Sequence, residues 1–493
     1  MSKDFTIRTR RGSPQRTKVV STLGPACDDP GVLRAMVAAG INVARLNFSH
    51  GTEQDHRRRA AALREASNAA ARHVAIMCDL SGPKIRLGEV EGGAVDLATG
   101  KTVEIVRGDG PSTAHRLTAN YAALVDDVTI GEPVFIDDGA VRLRVESKTA
   151  ESLICKVEQG GEVKSRKGIN LPGTGISTPS LTEKDIADLE IGVSLGADLF
   201  ALSFVRSAAD VTDLRARLNS LGSSALIVAK IEKPQALDRL DEIIAVSDAI
   251  MVARGDLGIE MPVESVPLHQ KRIVRACHRA LKPVIVATQV LESMVQSPYP
   301  TRAEVSDIAN AIEDGCDALM LSAETAVGEH PLRAVETMVT VARDVERDVT
   351  RRSDPKAFIY EHQGEPVRKA MVMGAVMIAE PLEAKFIVVR SESGETARYL
   401  SKVRGLCPVL AANTSPETLR RHALLWGVVP VLLDEAAEET TSLEEALPAL
   451  AAAIARKGLV DEGDRLVVVG SSVRGDDRPP DSIRTMRIGS GDI

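Results

Sequence analysis

Two short groups of residues in this chain have the types and spacing to act together. Lys230-Ile231-Glu232 and Arg254-Gly255-Asp256 each close an apolar, β-branched run, 226–229 before the first and 249–253 before the second, with one helix-length gap between them. Two carboxylates and an amine therefore fall where neighbouring strands stop. Carboxylates at adjacent strand ends share one hard divalent cation, and a lysine two residues from the first faces a bound anion. The pattern reads as a metal-assisted site for an anionic substrate, with a surface salt bridge as the plain alternative.

The elements that must position these groups repeat. β-branched runs occur at 18–24, 41–48, 74–80, 199–205, 226–232, 249–257, 284–289 and 318–324, and helical spacing fills intervals such as 30–39, 185–194, 208–221 and 266–280. Eight alternations of strand and helix predict an α/β protein built on a (β/α)8 TIM barrel, whose chemistry lies at the carboxyl ends of the strands. Asn47, Asp79, Lys230, Glu232, Asp256, Thr288 and Glu324 all fall at those ends.

One interval breaks the rhythm. From 82 to 167 the text turns into short alternating runs at 102–106, 133–136, 140–145 and 153–157, with turn signals at Asp109-Gly110 and Asp138-Gly139. This predicts an inserted β lid domain over 82–167, hinged by Ser81-Gly82-Pro83 and Gly168-Ile169-Asn170-Leu171-Pro172-Gly173, which leaves 17–81 and 168–345 for the barrel. Both hinges leave from the catalytic rim, where a lid would close on substrate. Residues 1–16 read as a tail. After the polar stretch Ser353-Asp354-Pro355 a C-terminal α/β domain is expected over 353–493, with strands at 385–390, 407–412, 428–433, 465–470 and 485–488. Its first loop, 391–396, carries Ser391, Ser393, Gly394 and Thr396 at a helix start, where a phosphate site and a serine-rich helix cap look alike.

Composition narrows the class. At 493 residues the chain has room for about three domains, and with 44% hydrophobic but only 2% aromatic residues its cores must be aliphatic. No run is long enough to span a membrane and the first residues lack an apolar signal core, so a cytoplasmic location is expected. Six cysteines without CxxC spacing read as reduced core residues, and zinc is not expected. A net charge of −8 without basic blocks argues against nucleic-acid binding.

Longer stretches carry a family resemblance. TKVVSTLGPA from Thr17, NVARLNFSHG from Asn42, KGINLPG from Lys167, ALSFVRS from Ala201, IMVARGDLGIE from Ile250, KPVIVATQVLESM from Lys282 and PTRAEVSDIANAIEDGCDALMLSAET from Pro300 occur in this order. The chain resembles the pyruvate kinase family from about Thr17 to its carboxyl terminus. That resemblance implies phosphoryl transfer from phosphoenolpyruvate to ADP, giving pyruvate and ATP, a reaction that depends on positioning and charge neutralisation. It places Mg2+ or Mn2+ on Glu232 and Asp256, and Lys230 beside the phosphoryl group and the enolate. The substrate carboxylate falls at Gly255-Asp256, and the transferred phosphate at Arg45. Nucleotide phosphates meet Asn47, His50, Arg86 and Lys167. Thr288 and Ser322 stand where the family protonates enolpyruvate, and Phe204 lines the pocket. A homotetramer and a phosphorylated-metabolite effector at Ser391, Ser393, Gly394 and Thr396 are implied in the same way.

Departures from the family pattern are informative. Ala323 stands where glycine is common, which a negative φ would tolerate. Leu80-Ser81-Gly82-Pro83-Lys84-Ile85-Arg86 replaces Thr-Lys-Gly-Pro-Glu-Ile-Arg. Lys84 thus reverses a charge beside the monovalent-cation region formed by Asn47, Ser49, Asp79 and Leu80, and K+ is expected to be dispensable. Another phosphoenolpyruvate/pyruvate barrel enzyme would not explain the lid, and a non-catalytic nucleotide-binding paralogue should have lost Lys230 or a metal ligand.

Overall fold

The eight β-branched runs close on themselves. In the computed structural model, strands Lys18–Thr22, Val43–Asn47, Ala75–Asp79, Leu199–Leu202, Leu226–Ile231, Ala249–Ala253, Val284–Ala287 and Ala318–Leu321 pair in sequence order into a closed, all-parallel barrel. The structure describes residues 14–108, 110–352, 357–390, 392–434, 442–472 and 478–489. Asp109, Ser353-Asp354-Pro355, Ser391 and most of the expected tail lie outside the described residues.

Period-two alternation sorts each strand. Val20, Met77, Val228, Met251, Ile285 and Met320 point inward and pack on one another. Their neighbours Val19, Ile76, Ile227, Ile250, Val286 and Leu319 face the surrounding helices. Both faces are buried, which is why these runs read as continuously apolar. The helices start where capping chemistry dictates: Thr52 with Asp55, Thr182 with Asp185, and Thr301 with Glu304 form reciprocal capping boxes. Asp185 also accepts a hydrogen bond from the Gly82 amide at 3.1 Å, fastening the outgoing end of the insertion to the barrel.

Between the third and fourth barrel strands lies a six-stranded sheet in the order Ile169–Asn170, Pro133–Ile136, Val141–Lys148, Ser152–Gln159, Thr102–Arg107, Arg116–Ala119, beside a two-stranded ribbon of Ala94–Leu97 and Gly161–Lys164. It has its own aliphatic core around Val103, Ile105, Leu143 and Leu153. The C-terminal sheet runs Val428–Leu432, Val409–Asn413, Phe386–Arg390, Arg465–Gly470, Ser482–Arg487, the last strand antiparallel. That strand begins at Ser482 rather than Thr485; only Met486 within it is buried, so its polar text concealed the start.

The C-terminal sheet domain packs on the amino-terminal end of the barrel, opposite the catalytic rim. Ala423 and Leu424 join the barrel's interior cluster. Asp317, just before the eighth strand, meets Lys402 at 2.5 Å and Arg404 at 3.0 Å, and Asp198, before the fourth, meets Arg420 at 2.8 Å. Among the described residues no helix is long and apolar enough to cross a membrane.

Candidate active site

Strand alternation places Val228, Lys230 and Glu232 on one face, so the fifth strand delivers an amine and a carboxylate to the barrel mouth. Lys230 Nζ lies 2.8 Å from Glu232 Oε1 and 3.2 Å from Asp79 Oδ1, and donates to Ser203 Oγ at 2.7 Å. Asp79, the last residue of the third strand, takes the Arg45 Nε at 2.7 Å on its other oxygen, and Arg45 also donates to Thr22 Oγ1 at 3.0 Å. Lys230, Asp79 and Glu232 are 9%, 1% and 2% exposed, so these charges act with little screening from water. Burial opposes the Lys230 charge, but Asp79, Glu232 and Asp256 outweigh it and raise its pKa. Burial pushes the Glu232 carboxyl up and the nearby Asp256 adds to the push, against the pull of Lys230. Asp79 is lowered despite burial because Lys230 and Arg45 both face it.

Phe204, at φ 55°, bends the chain after the fourth strand so that its amide donates to Glu232 Oε2 at 2.9 Å. A positive φ at a bulky residue is strained and must be held by its surroundings. After the seventh strand Thr288 and Gln289 are left-handed in succession, at φ 66° and 52°. Arg254 holds that turn by donating to Thr288 O at 2.8 Å and Gln289 O at 3.2 Å while paired with Asp307 at 2.7 Å. Thr288 Oγ1 in turn accepts the Gly255 amide at 2.7 Å, so this amide is engaged by the protein itself. Glu324 binds the amides of Ser322 at 2.6 Å and Leu291 at 3.1 Å and braces the rim between the last two strands. Ala323 starts a short helix and is absent from the positive-φ positions, as a methyl group there requires.

A cleft of about 430 Å3 opens between rim and inserted sheet, lined among others by Lys84, Arg86, Lys167, Phe204, Lys233 and Asp256. Lys167 pairs with Asp137 across the inserted sheet at 2.9 Å. His50 is exposed at the end of the second strand, its pKa lowered by partial burial and by Lys84, Arg86 and Arg45. Asn47 Oδ1 accepts the Ser49 amide at 3.1 Å, and Ser49 Oγ donates to Ser81 Oγ at 3.3 Å. Leu80 is buried. Lys84 has exposed surface yet is crowded by the cleft walls: its pKa is lowered by desolvation and Lys230, with Asp256 and Asp79 pulling the other way.

The structure therefore gathers Arg45, Asp79, Lys230 and Glu232 at one point and lines the adjoining cleft with Lys84, Arg86, Lys167 and Asp256. It does not bring the C-terminal loop near them. There Gly394, at φ 87°, precedes the helix Glu395–Val403, Ser393 Oγ accepts the Glu395 amide at 3.4 Å, and Thr396 Oγ1 accepts from Arg368 at 2.8 Å.

A buried pair escaped the sequence reading. Lys233 meets Glu260 at 2.5 Å, with the ammonium 5.7 Å from the Phe204 ring centre, and Glu260 also accepts from the Gly173 backbone. No periodicity signals it, since the partners lie 27 residues apart. As a cation site, Glu232 and Asp256 offer two carboxylates, and no cluster of three or more His, Cys, Asp or Glu forms among the described residues. Two carboxylates suit Mg2+, which keeps waters and takes its remaining oxygens from substrate phosphate.

Comparison with known proteins agrees with this geometry. Residues 14–335 match the family model described as pyruvate kinase, barrel domain, and residues 369–486 match pyruvate kinase, alpha/beta domain. The pyruvate kinase of Mycobacterium tuberculosis is 41% identical over 98% of this chain and 100% of its own length. That of Corynebacterium efficiens is 42% identical over 94% of this chain and 95% of its own, and that of Geobacillus stearothermophilus 40% identical over 92% and 77%. With two family models spanning most of its length and relatives this similar end to end, the chain belongs to the pyruvate kinase family.

Proposed function

We propose that the strand-end cluster carries phosphoryl transfer from phosphoenolpyruvate to ADP, and that Lys230 is its centre. The observation that carries this reading is a buried, charged amine held between Asp79 and Glu232 at the mouth of a cation-lined cleft. Arg45 and Lys230 bind and orient the phosphoryl group. As the P–O bond to the enol oxygen breaks, Lys230 faces the enolate oxygen left behind, and the phosphorus bonds to the terminal phosphate oxygen of ADP. Asn47, His50, Arg86 and, from the inserted sheet, Lys167 hold the nucleotide phosphates. A proton then reaches the methylene carbon of the enolate through the hydroxyls of Thr288 and Ser322, completing pyruvate. Mg2+ or Mn2+ on Glu232 and Asp256, when bound, neutralises phosphate and carboxylate charge. Residues 82–167 act as a lid that excludes water.

The same reading makes K+ unnecessary. Asp79 Oδ1 already faces the Lys230 ammonium at 3.2 Å, and the Lys84 charge is within electrostatic reach of the same carboxylate. A tethered ammonium supplies that positive charge without a free ion. A regulatory role for the C-terminal domain, through a phosphate monoester at Ser391, Ser393, Gly394 and Thr396, and a cytoplasmic homotetramer complete the proposal.

The test is pyruvate formation from phosphoenolpyruvate and ADP with Mg2+, in buffer free of Na+ and K+, against K+ at matched ionic strength. Turnover should be equal in the two, and Lys84→Glu should gain K+ dependence. Stimulation of the wild type by about tenfold or more, roughly 1.4 kcal/mol at the transition state, would show that Lys84 does not replace the ion.

A further inference from the structure

The loop after the fourth barrel strand carries a residue that reaches in four directions. Phe204 sits at φ 55°, and its amide donates to Glu232 Oε2 at 2.9 Å. Its carbonyl accepts from Ser180 Oγ at 2.9 Å, in the linker that returns from the inserted sheet. Its ring backs the outgoing hinge so closely that a Cβ on Gly82 would lie 2.5 Å from it. The Lys233 ammonium stands 5.7 Å from the ring centre.

The returning linker is itself seated on the rim. Arg206 donates to Ile176 O and, at 2.7 Å, to Thr178 O, and Glu260, paired with Lys233, accepts from the Gly173 backbone. On its other side the linker meets the inserted domain. Thr174 Oγ1 donates to Glu132 Oε2 at 2.9 Å, and the Ser177 amide donates to Asp127 Oδ2 at 2.7 Å. Residues 173–180 thus join the inserted domain to the loop that carries Phe204.

We propose that Phe204 is a positioning residue for the divalent cation. Its strained amide fixes the Glu232 carboxylate, and the seated linker holds Phe204 in that conformation through Ser180 and the Lys233–Glu260 pair. The inference rests on the reading that Glu232 ligates the cation. Glu232 Oε1 faces Lys230 at 2.8 Å and Oε2 takes the Phe204 amide, so the protein grips both oxygens while each keeps a lone pair for a cation. Partners of this kind orient a ligand and typically account for about 10- to 100-fold in metal affinity. A bulky residue leaves a positive φ unless its neighbours over-determine it. Loss of the Ser180 hydroxyl, or of the ammonium beside the ring, therefore frees the loop and takes from Oε2 its fixed donor. By reciprocity, a cation bound at Glu232 stabilises the seated linker by the same factor.

Titration of the full chain with Mn2+, the free ion counted by electron paramagnetic resonance, tests this without turnover. Ser180→Ala removes one hydroxyl outside the catalytic cluster and should weaken Mn2+ binding about threefold or more, and Lys233→Met should weaken it about tenfold. Hydrogen exchange of the wild type needs no substitution: saturating Mn2+ should slow exchange across 173–180, and Ser180→Ala should diminish that protection. The role of Phe204 is overturned if Mn2+ affinity is equal in the wild type, Ser180→Ala and Lys233→Met, or if exchange at 173–180 is indifferent to Mn2+. Glu232→Gln separates that failure from failure of the wider reading. If it too binds Mn2+ as the wild type does, the ion lies elsewhere and both fall; if it alone weakens binding, the cation site stands and only the role of Phe204 falls.

Discussion

Lys230, Glu232 and Asp79 were legible as single letters because strand alternation fixes which way each points. Their consequence, a lysine held charged between two carboxylates, follows from the parallel register that sets Ala201 beside Asp79 and Lys230 beside Met251. What the residues could not reveal is backbone strain: nothing in Phe204, Thr288 or Gln289 as residue types announces a left-handed conformation. Nor does Arg254 announce that its task is to hold such a turn. Glu232 is the residue on which the divalent ion depends most in this account. Glu232→Gln removes a negative charge from the Mg2+ ligand set, so the Mg2+ concentration for half-maximal rate should rise about tenfold or more. An unchanged Mg2+ requirement would place the ion elsewhere.

Among the elements, the barrel strands were plain because both their faces are apolar, whereas Ala94–Leu97, Arg116–Ala119 and Gly161–Lys164 went unread. Each is four residues long and broken by charged or polar side chains, unlike the equally short but apolar Pro133–Ile136. The hinges of the inserted sheet are where these elements meet the chemistry. Gly82, at φ 65°, lies so close to Phe204 that a Cβ there would sit 2.5 Å from the ring. Gly82→Ala combines a left-handed backbone with that clash, and should cost on the order of 1–3 kcal/mol in denaturant unfolding. At the returning hinge, Glu260 joins the Gly173 backbone to Lys233, the residue next to the proposed cation ligand Glu232. Lys233→Met leaves Glu260 buried without its partner. Its expected signature is a fall in kcat for phosphoryl transfer that exceeds the loss of thermal stability, with the Mg2+ requirement shifted upward. Unaltered kcat and Mg2+ requirement would confine the pair to a structural role.

At the scale of the whole molecule, chemistry and domain docking occupy opposite ends of the barrel. The docking end holds a pair of histidines, His362 buried and His278 half-buried, that the sequence could not foretell, because they lie 84 positions apart and meet only when the domains dock, at 2.6 Å. Burial lowers both, His362 to about 4 from the ordinary 6.5. An unfolded chain therefore takes up protons that the folded one refuses, so the stability these groups contribute is full above about pH 6.5 and is lost as pH falls toward about 4. For His362 a gap of about 2.5 units at about 1.4 kcal/mol per unit bounds the loss on the order of 3 kcal/mol. The melting temperature should drop across that window, and His362→Gln should flatten part of the slope. A pH-independent melting temperature between those limits would contradict this.

Turnover of the whole enzyme in Lys230→Met tests the central claim most directly, measured as pyruvate formed from phosphoenolpyruvate and ADP under saturating Mg2+, alongside phosphoenolpyruvate binding. The buried amine is aimed at charge that develops in the transition state, so kcat should fall on the order of a hundredfold or more while phosphoenolpyruvate still binds within about tenfold of the wild-type affinity. Wild-type kcat in that variant would contradict the assignment of Lys230 as the centre of phosphoryl transfer.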